Sequence, residues 1–295
     1  MAKATYEGAC GIKATVIANS VSSTSNTEII TFELEYPRFI LSELNTHRVF
    51  SRNSASSRAI PLEKMLEHLK ATPVHWGKNQ SGMQAKEELS GDERVVAMSL
   101  WEKAKQDAMA TALEMHKVGL HKQVANRILE PFQMMKTVVT ATEWENFFEL
   151  RRHPDAQPEI QELAECMYKA VAAALPVILE EGDWHLPYVG EGRWRKNESN
   201  EYGLIDSIIL SISQCAQVSY RKTDDTLDKA YAVFNRLLSG EPRHASPCEH
   251  QATPMFDHAL GNMTFHQERE GWSSWSGNFR DWVQFRQVLE ALYKE

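Results

Sequence analysis

Residues 29–36 read IITFELEY, a run in which apolar and polar side chains alternate from Ile30 to Tyr36. Alternation with a period of two, carried by β-branched and aromatic residues, is typical of a strand that buries one face. The earlier run KATVIA at 13–18 has a similar composition, and a stretch rich in Ser, Thr and Asn separates the two. The pair therefore predicts a β-hairpin near the start of the chain.

Beyond this hairpin the chain is mostly helical. Apolar residues recur at every fourth position from Val96 to Ala112, and Gly119 follows as a stop signal, so the spacing predicts a helix over 95–118. The remaining predictions are a loop at 75–84, a strand at 134–142, and helices at 122–129, 143–150, 156–181, 204–216 and 225–239. Few strands among several long helices predict an α+β fold with a mixed or antiparallel sheet.

The composition and net charge argue against two classes of protein, those that bind nucleic acid and those that span a membrane. The chain has 295 residues, 42% of them hydrophobic, and a formal net charge of -8. Stable nucleic-acid binding is not expected, because proteins that bind nucleic acid through their general field are basic. No apolar run approaches the roughly 20 residues of a membrane span, and the first ten residues lack the apolar region of a signal peptide. We therefore expect a cytoplasmic protein without a membrane partner.

The cysteines indicate neither a disulfide framework nor a metal site. No two of them form a CxxC pair, so reduced thiols are expected. The alternative is a metal cluster in the segment HASPCEH at 244–250, but the usual spacing and a fourth ligand are missing. The four cysteines are Cys10, Cys166, Cys215 and Cys248.

Positive charge is concentrated in one segment, THRVFSRNSASSRAIP at 46–61, which we call the signature segment. It holds three arginines and four serines, and no acid occurs from Leu44 to Leu62. Forked guanidinium donors beside small hydroxyls suit phosphate oxygens, whereas the plainer interpretation is a solvated surface loop. Because the segment follows a predicted strand, we expect an anion cradle at a strand end.

The pattern from His47 to Arg58 resembles the signature of the flavin-dependent thymidylate synthases, RHRxxSxNExSxRY. A second segment is similar to that family in the same order: Arg127 precedes Pro131, a strand follows, and then come NFFELR at 146–151 and AQPEI at 156–160. Two separate elements in the right order are a specific resemblance.

A third element has family content but a different place. In the family, an ARVSY-like strand and an HxTPFEH-like turn precede the signature, whereas here CAQVSY at 215–220 and HASPCEH at 244–250 lie near the C-terminus. The chain resembles a circularly permuted member, and we expect this displaced turn (244–250) to pack beside the strand that leads to the signature segment. The alternative is a peripheral helical cap with an accidental likeness.

The resemblance implies one catalytic domain over 1–295, with a family-like core at 29–61, 121–180 and 206–250 and insertions at 62–120, 182–205 and 251–295. It implies a homotetramer with shared active sites, in which FAD, a pyrimidine deoxynucleotide monophosphate and methylenetetrahydrofolate meet and NADPH supplies the reducing equivalents. Substrate binding falls to Ser56, Ser57, Arg58, Arg151 and, from a neighbouring chain, Arg127, with Ser56 and Arg151 also in catalysis. Cofactor binding falls to His47, Arg48, Ser51, Asn53, Asn146, Ser219, His244, Ser246 and Glu249.

Departures from the family pattern keep the substrate open. Thr46 replaces the first arginine of the signature, Ser54 replaces a glutamate and Ala59 replaces a tyrosine, while Ser42-Glu43 stands where an Arg-Gln pair is common. One reading is methylation of dUMP; a second is the same fold acting on another pyrimidine nucleotide, or leaving a hydroxymethyl group. A third, a nucleotide-binding or single-strand-binding module without catalysis, is disfavoured by the acidic net charge.

The first prediction concerns Arg58. Substitution Arg58→Ala is expected to weaken nucleotide binding by about 1.5 to 3 kcal/mol, the scale of a lost charge-assisted hydrogen bond. Flavin binding should change much less. Titration calorimetry with nucleotide and with flavin measures both, and a variant that keeps its nucleotide affinity while losing flavin would reverse the two assignments.

Overall fold

The computed structural model describes residues 4–58, 60–218, 224–255 and 277–292, which form two sheets and several helices. The first sheet has the strand order β1-β2-β3-β5-β4, and β6 pairs in parallel with β2 while the other pairs are antiparallel. Its strands are β1 (Thr5–Glu7), β2 (Lys13–Ser22), β3 (Glu28–Pro37), β4 (Ser51–Ser54), β5 (Met134–Ala141) and β6 (Val177–Leu179).

A second, antiparallel sheet has the order β10-β9-β7-β8. Its short strands are β7 (Trp184–His185), β8 (Arg193–Trp194), β9 (Ala252–Pro254) and β10 (Trp282–Gln284). The helices are α1 (Leu41–Asn45), α2 (Leu62–Leu66), α3 (Gly91–Lys117), α4 (Lys122–Ala125), α5 (Glu145–Arg151), α6 (Pro158–Ala172), α7 (Leu204–Ala216), α8 (Leu227–Leu238) and α9 (Phe285–Leu292). The predicted α+β class is confirmed. Among the described residues, no helix is long and apolar enough to cross a membrane.

The predicted hairpin is β2 and β3, which pair in antiparallel register with Val16 opposite Phe32. The alternation in IITFELEY buries Phe32, Leu34 and Tyr36 completely, and they join a core cluster with residues of α6 such as Leu163. The hairpin therefore forms the centre of the first sheet: β1 and β6 pair with β2, and β5 pairs with β3.

Two helix predictions are wrong at their ends. The predicted helix 156–181 ends at Ala172, because Pro176 disfavours helical geometry in the residue before it and β6 then pairs with β2. The predicted helix 122–129 is α only over α4; the chain then tightens into a 3-10 helix, Asn126–Phe132, that contains Pro131. A proline ring at that position clashes with the α-helical carbonyl four residues earlier.

The helix α3 is confirmed, but its apolar stripe is only partly covered. Val96 and Leu100 are 57% and 61% exposed, whereas Ala112 is fully buried and packs in a cluster with Leu62 and Leu129. Periodicity therefore predicts the helix correctly without predicting how much of its length contacts the remainder of the chain. Predictions for 134–142, 143–150, 204–216 and 225–239 agree with β5, α5, α7 and α8 to within a few residues, and 75–84 forms neither helix nor strand beyond one isolated bridge.

A buried chain of hydroxyls and imidazoles joins the two sheets. Ser20 Oγ lies 2.9 Å from His185 Nδ1, and His185 Nε2 lies 2.8 Å from Thr31 Oγ1. Thr31 and Thr140 hydroxyls are 2.7 Å apart, and Thr140 Oγ1 lies 2.9 Å from His250 Nδ1. All five side chains are at most 1% exposed. Since unpaired polar groups are costly in such surroundings, these hydrogen bonds fix how β7 and the displaced turn meet β2, β3 and β5.

The buried imidazoles predict an acid-sensitive fold. Burial, with the neighbouring His250, lowers the pKa of His185 from 6.5 to about 3, and burial lowers that of His250 to about 3. The unfolded chain binds protons at these residues below pH 6.5, so stability is complete above that pH and falls as the pH drops toward 3. The expected loss is up to about 1.4 kcal/mol per pH unit for each histidine.

Urea unfolding at pH 7 and pH 5 measures this loss. The variant His153→Gln, at an exposed histidine, is the control and should keep the wild-type dependence. A free energy of unfolding that stays constant between the two pH values contradicts the neutral state assigned to His185 and His250.

Candidate active site

The signature segment lies at the edge of the first sheet. It does not follow directly from β3 as expected, because a 3-10 turn at Arg38–Ile40 and the helix α1 intervene. Its middle forms the edge strand β4, which pairs with β5 so that Ser51 is opposite Thr140 and Asn53 is opposite Val138. Arg52 therefore lies on an element held by the sheet, and Arg48 and Arg58 flank that element.

Arg151, the last residue of α5, is fixed by the start of the signature segment. Its Nε donates to His47 Nε2 at 3.0 Å, and its Nη2 donates to Thr46 Oγ1 at 2.9 Å and to the carbonyl of Glu43 at 3.4 Å. Among the described residues, none accepts a hydrogen bond from Nη1 of Arg151. The guanidinium is thus held along one edge while the two Nη1 protons stay available to an anionic or carbonyl ligand.

His47 is neutral in this arrangement. An arginine Nε can only donate, so Nε2 of His47 must be the accepting nitrogen and the ring proton lies on Nδ1. Burial, with the charges of Arg151 and Arg52, lowers the pKa of His47 from 6.5 to about 4. The ring stacks on Phe50 with centroids 5.4 Å apart and meets Phe147 edge-on at 4.9 Å. His47 therefore serves as a rigid acceptor for Arg151.

Three other signature side chains are engaged within the chain. Arg52 Nη1 donates to the carbonyls of Leu44 and His47, which closes the turn after α1. Asn53 Nδ2 donates to the carbonyl of Cys215 at 3.4 Å, and Ser51, 1% exposed, accepts from Gln284 at 3.0 Å. Direct cofactor contact by Ser51 and Asn53, expected from the resemblance, stays a prediction.

The serine end of the signature segment meets Arg127 of the same chain through Glu130. Ser57 Oγ and Arg127 Nη1 each donate to Oε1 of Glu130 at 2.7 Å. Asn126 Nδ2 donates to the carbonyls of Ser57 and Ile60 at 2.8 and 2.9 Å. The loop that carries the predicted phosphate ligands is thereby tied to the 3-10 helix that carries Arg127.

Exposure separates the predicted ligands into two groups. Ser57 is 1% exposed and cannot contact a ligand without rearrangement, whereas its neighbours Ser56 and Arg58 are exposed. Arg127 is half exposed. Also exposed are Arg48, Asn146, His244 and Ser246. Ser219 lies outside the described residues.

The displaced turn packs against the signature strand in the same chain. Nε2 of Gln284 donates both to Ser51 Oγ at 3.0 Å and to the carbonyl of Glu249 at 2.8 Å, so one amide joins β4 to the turn. The Glu249 carboxylate pairs with Arg286 on α9. The turn thus packs beside β4 and, through His250, beside β5, whereas the expected neighbour was β3; the permuted order stays a prediction.

An open cleft of ≈ 640 Å³ adjoins the signature segment. Ala55 and Ile60 line it from that segment, Lys136 from β5, and Val218 from the residues after α7. Small-molecule sites commonly have volumes of about 300 to 1,000 Å³. The cleft is therefore large enough for part of a nucleotide or cofactor.

The sequence patterns do not indicate a role for Arg38 or Glu130. Arg38 Nη2 lies 3.1 Å from Oε1 of Glu130, beside the bonds from Ser57 and Arg127. The spacing of three between Arg127 and Glu130 was the available signal, since side chains three apart on a helical segment lie on one face. Nothing in the sequence around Arg38 indicates this contact.

The cysteines are unbonded, and Cys248 in the displaced turn is fully buried. Burial, with the charge of Glu249, raises the pKa of Cys248 to about 12, so its thiol is neutral at physiological pH. Within the described ranges, no three His, Cys, Asp or Glu side chains converge as a metal ion would need.

The fold is α+β, and the arginine-serine segment at the edge of its first sheet presents exposed guanidinium donors of the kind that bind anions. The family model of the thymidylate synthase complementing protein, Thy1, matches residues 5–177, which is more than half of the chain. The chain belongs to this family of flavin-dependent thymidylate synthases, and it is a thymidylate synthase-like methyltransferase.

Among solved structures, the chain is similar to the UMP/dUMP methylase PolB from Streptomyces cacaoi, crystallised with 5-Br UMP. The two are 19% identical, the match covers 55% of this chain and 89% of that chain, and the TM-score is 0.45. No curated protein sequence matches the chain.

A prediction follows for Cys248. Because its thiol is buried and neutral, we expect Cys248→Ser to keep measurable methyl transfer, since no thiolate at this position attacks the substrate. Steady-state turnover of the folded variant measures this, and Cys166→Ser, at another buried thiol, is the matched control. Loss of all activity in Cys248→Ser alone, with the fold retained, would point to a covalent role.

Proposed function

We propose that the protein converts dUMP to dTMP, with methylenetetrahydrofolate as one-carbon donor, FAD as bound cofactor and NADPH as reductant. The observation that supports this most is the fixed guanidinium of Arg151, held by His47 and Thr46 at the start of the signature segment. A preorganised cation stabilises negative charge that develops on a pyrimidine ring, and it does so without reorganisation during the reaction.

In this proposal the nucleotide lies with its phosphate at the other end of the signature segment. Ser56 and Arg58 are exposed there, and Arg127, half exposed on its 3-10 helix, would reach the phosphate from a neighbouring chain. A hydroxyl and two guanidinium groups match the oxygens of a phosphate monoester. Ser57 contributes from behind the surface, because its hydroxyl is already donated to Glu130. Arg151 would face the base.

The residues present suit a flavin. When bound, FAD would supply the route for the one-carbon unit and for hydride taken from NADPH. The exposed side chains of Arg48, Asn146, His244 and Ser246 offer cationic and neutral donors for its phosphates and ring edge. Ser51 and Asn53 would act behind them, since each is hydrogen-bonded within the chain and orients β4. Homotetrameric assembly with shared sites belongs to the same proposal, as it is what the resemblance implies.

A second candidate is favoured by one observation on the base side. Thr46 stands where the family has arginine, and its hydroxyl accepts from Arg151. The site therefore has one cation fewer beside the base, and its acceptor pattern differs accordingly. Such a change suits a different pyrimidine nucleotide, such as dCMP, or a hydroxymethyl product.

Mass spectrometry of the products tests both candidates. We expect the purified protein to take up FAD and, with methylenetetrahydrofolate and NADPH, to add 14 mass units, about one CH2, to dUMP and not to dCMP. A gain on dCMP, or a gain that includes an extra oxygen, supports the second candidate. A protein that takes up no flavin and modifies neither nucleotide overturns the proposal. Arg151→Lys is the matched variant, because it keeps the charge and loses the fork that His47 and Thr46 hold.

A further inference from the structure

Three consecutive residues where β10 passes into α9 hold the displaced turn and the residue after it. Nε2 of Gln284 donates to the carbonyl of Glu249 at 2.8 Å, and the backbone N–H of Phe285 donates to the carbonyl of Gln251 at 2.9 Å. Arg286 pairs with the carboxylate of Glu249. The turn is therefore held both at its backbone and at a side chain.

One of these three side chains also reaches the signature segment. The amide of Gln284 donates to Ser51 Oγ at 3.0 Å as well as to Glu249, so both of its protons are used, one on each element. Gln284 is 4% exposed, and Ser51 is 1% exposed. Because a buried amide or hydroxyl without a partner is costly, separating β4 from the turn is unfavourable.

The strand β4 depends on contacts of this kind. It has four residues and, among the described strands, pairs only with β5. Ser51 lies opposite Thr140 in that pair, so the two side chains share one face of the sheet. On this face the turn is bonded to β5 through His250 and to β4 through Gln284. Attachment at two strands fixes the orientation of the turn as well as its position.

The consequence concerns the exposed side chains that β4 and the turn carry. Arg48 precedes β4, and His244 and Ser246 lie in the turn; all three are exposed. Such groups bind a ligand well only when they are already in place, because ordering them on binding costs affinity. Each copy of the chain thus presents these groups on one rigid unit, whichever neighbouring copy completes each site.

We propose that Gln284 is a positioning residue that holds β4 and the displaced turn as the rigid support of the flavin ligands. This inference rests on the proposed function for the identity of the ligand, FAD. Gln284 itself touches no ligand in this scheme. The phosphate end of the signature segment is held separately, since Asn126 donates to the carbonyls of Ser57 and Ile60, so binding there depends little on Gln284.

Titration of Gln284→Met with FAD and with inorganic phosphate tests the proposal. Methionine keeps roughly the size of the side chain and loses both donors. We expect the dissociation constant for FAD to rise about tenfold, the scale of one or two lost hydrogen bonds. The absorption spectrum of the bound flavin should shift, because its surroundings are less fixed. Affinity for inorganic phosphate should be unchanged.

Asn200→Leu is the matched control. Nδ2 of Asn200 also donates both of its protons, to the carbonyls of Arg195 at 2.7 Å and Glu198 at 3.0 Å. Arg195 is in turn bonded to the carbonyl of Ile178 in β6, which pairs with β2 on the side of the sheet away from β4. Asn200→Leu should therefore bind FAD as wild type does.

Ser51→Ala identifies which bond carries the effect. It removes the acceptor on β4 and keeps the bond to Glu249, so it also serves if Gln284→Met does not fold. We expect the double variant to lose less FAD affinity than the sum of the two single losses, because both substitutions break the same bond. Amide hydrogen exchange over 51–54 should be faster than in wild type in each single variant.

Three results would overturn the inference. FAD affinity that is unchanged in folded Gln284→Met would mean that Gln284 does not position the flavin ligands. An equal loss of phosphate affinity would mean that it supports the whole fold. Losses that add fully in the double variant would mean that Gln284 and Ser51 act separately. If wild type takes up no flavin, the proposed function fails, and hydrogen exchange over 51–54 still decides whether Gln284 holds β4.

Discussion

Two fully buried imidazoles, His185 and His250, determine how the two sheets meet, because each needs a hydrogen-bond partner where water is excluded. The partners are Thr31 and Thr140 on neighbouring strands of the first sheet, whose hydroxyls also bond to each other. A slip of β3 or β5 by one residue in its pairing register would turn its hydroxyl to the other face of the sheet. The register of the core strands therefore fixes where the displaced turn meets the signature strand.

The signature segment divides its side chains between support and recognition. Arg52 and Asn53 donate hydrogen bonds to carbonyls of the same chain, whereas Arg48 and Arg58 remain exposed. This division explains how a protein with a net charge of -8 keeps a local concentration of positive charge: nearby carbonyls and the Glu130 carboxylate accept from some of the arginines, and the others face solvent. Thr46 also keeps the local positive charge lower, since a hydroxyl beside Arg151 avoids the repulsion that a second guanidinium would bring.

The sequence predicts local structure well and distant contacts poorly. The alternation at 29–36 and the spacing in α3 are local signals, and both elements exist as expected. The prediction at 156–181 is wrong past Ala172, where Pro176 is a local stop signal but the pairing of β6 with β2 depends on residues more than 150 positions away. The signature segment was recognisable from its own pattern. Glu130 was not recognisable from the sequence, because its contacts are with Ser57, 73 positions earlier, and with Arg38.

The bond from Gln284 to Ser51 spans 233 positions and gives the site an order of assembly. During synthesis the residues matched by the family model leave the ribosome before Gln284, whose amide joins β4 to the turn at Glu249. Until then β4 is an unsupported edge strand, the kind of surface on which nascent chains pair with one another. The contact that supports β4 from the turn at Glu249 therefore forms only after Gln284 has been made.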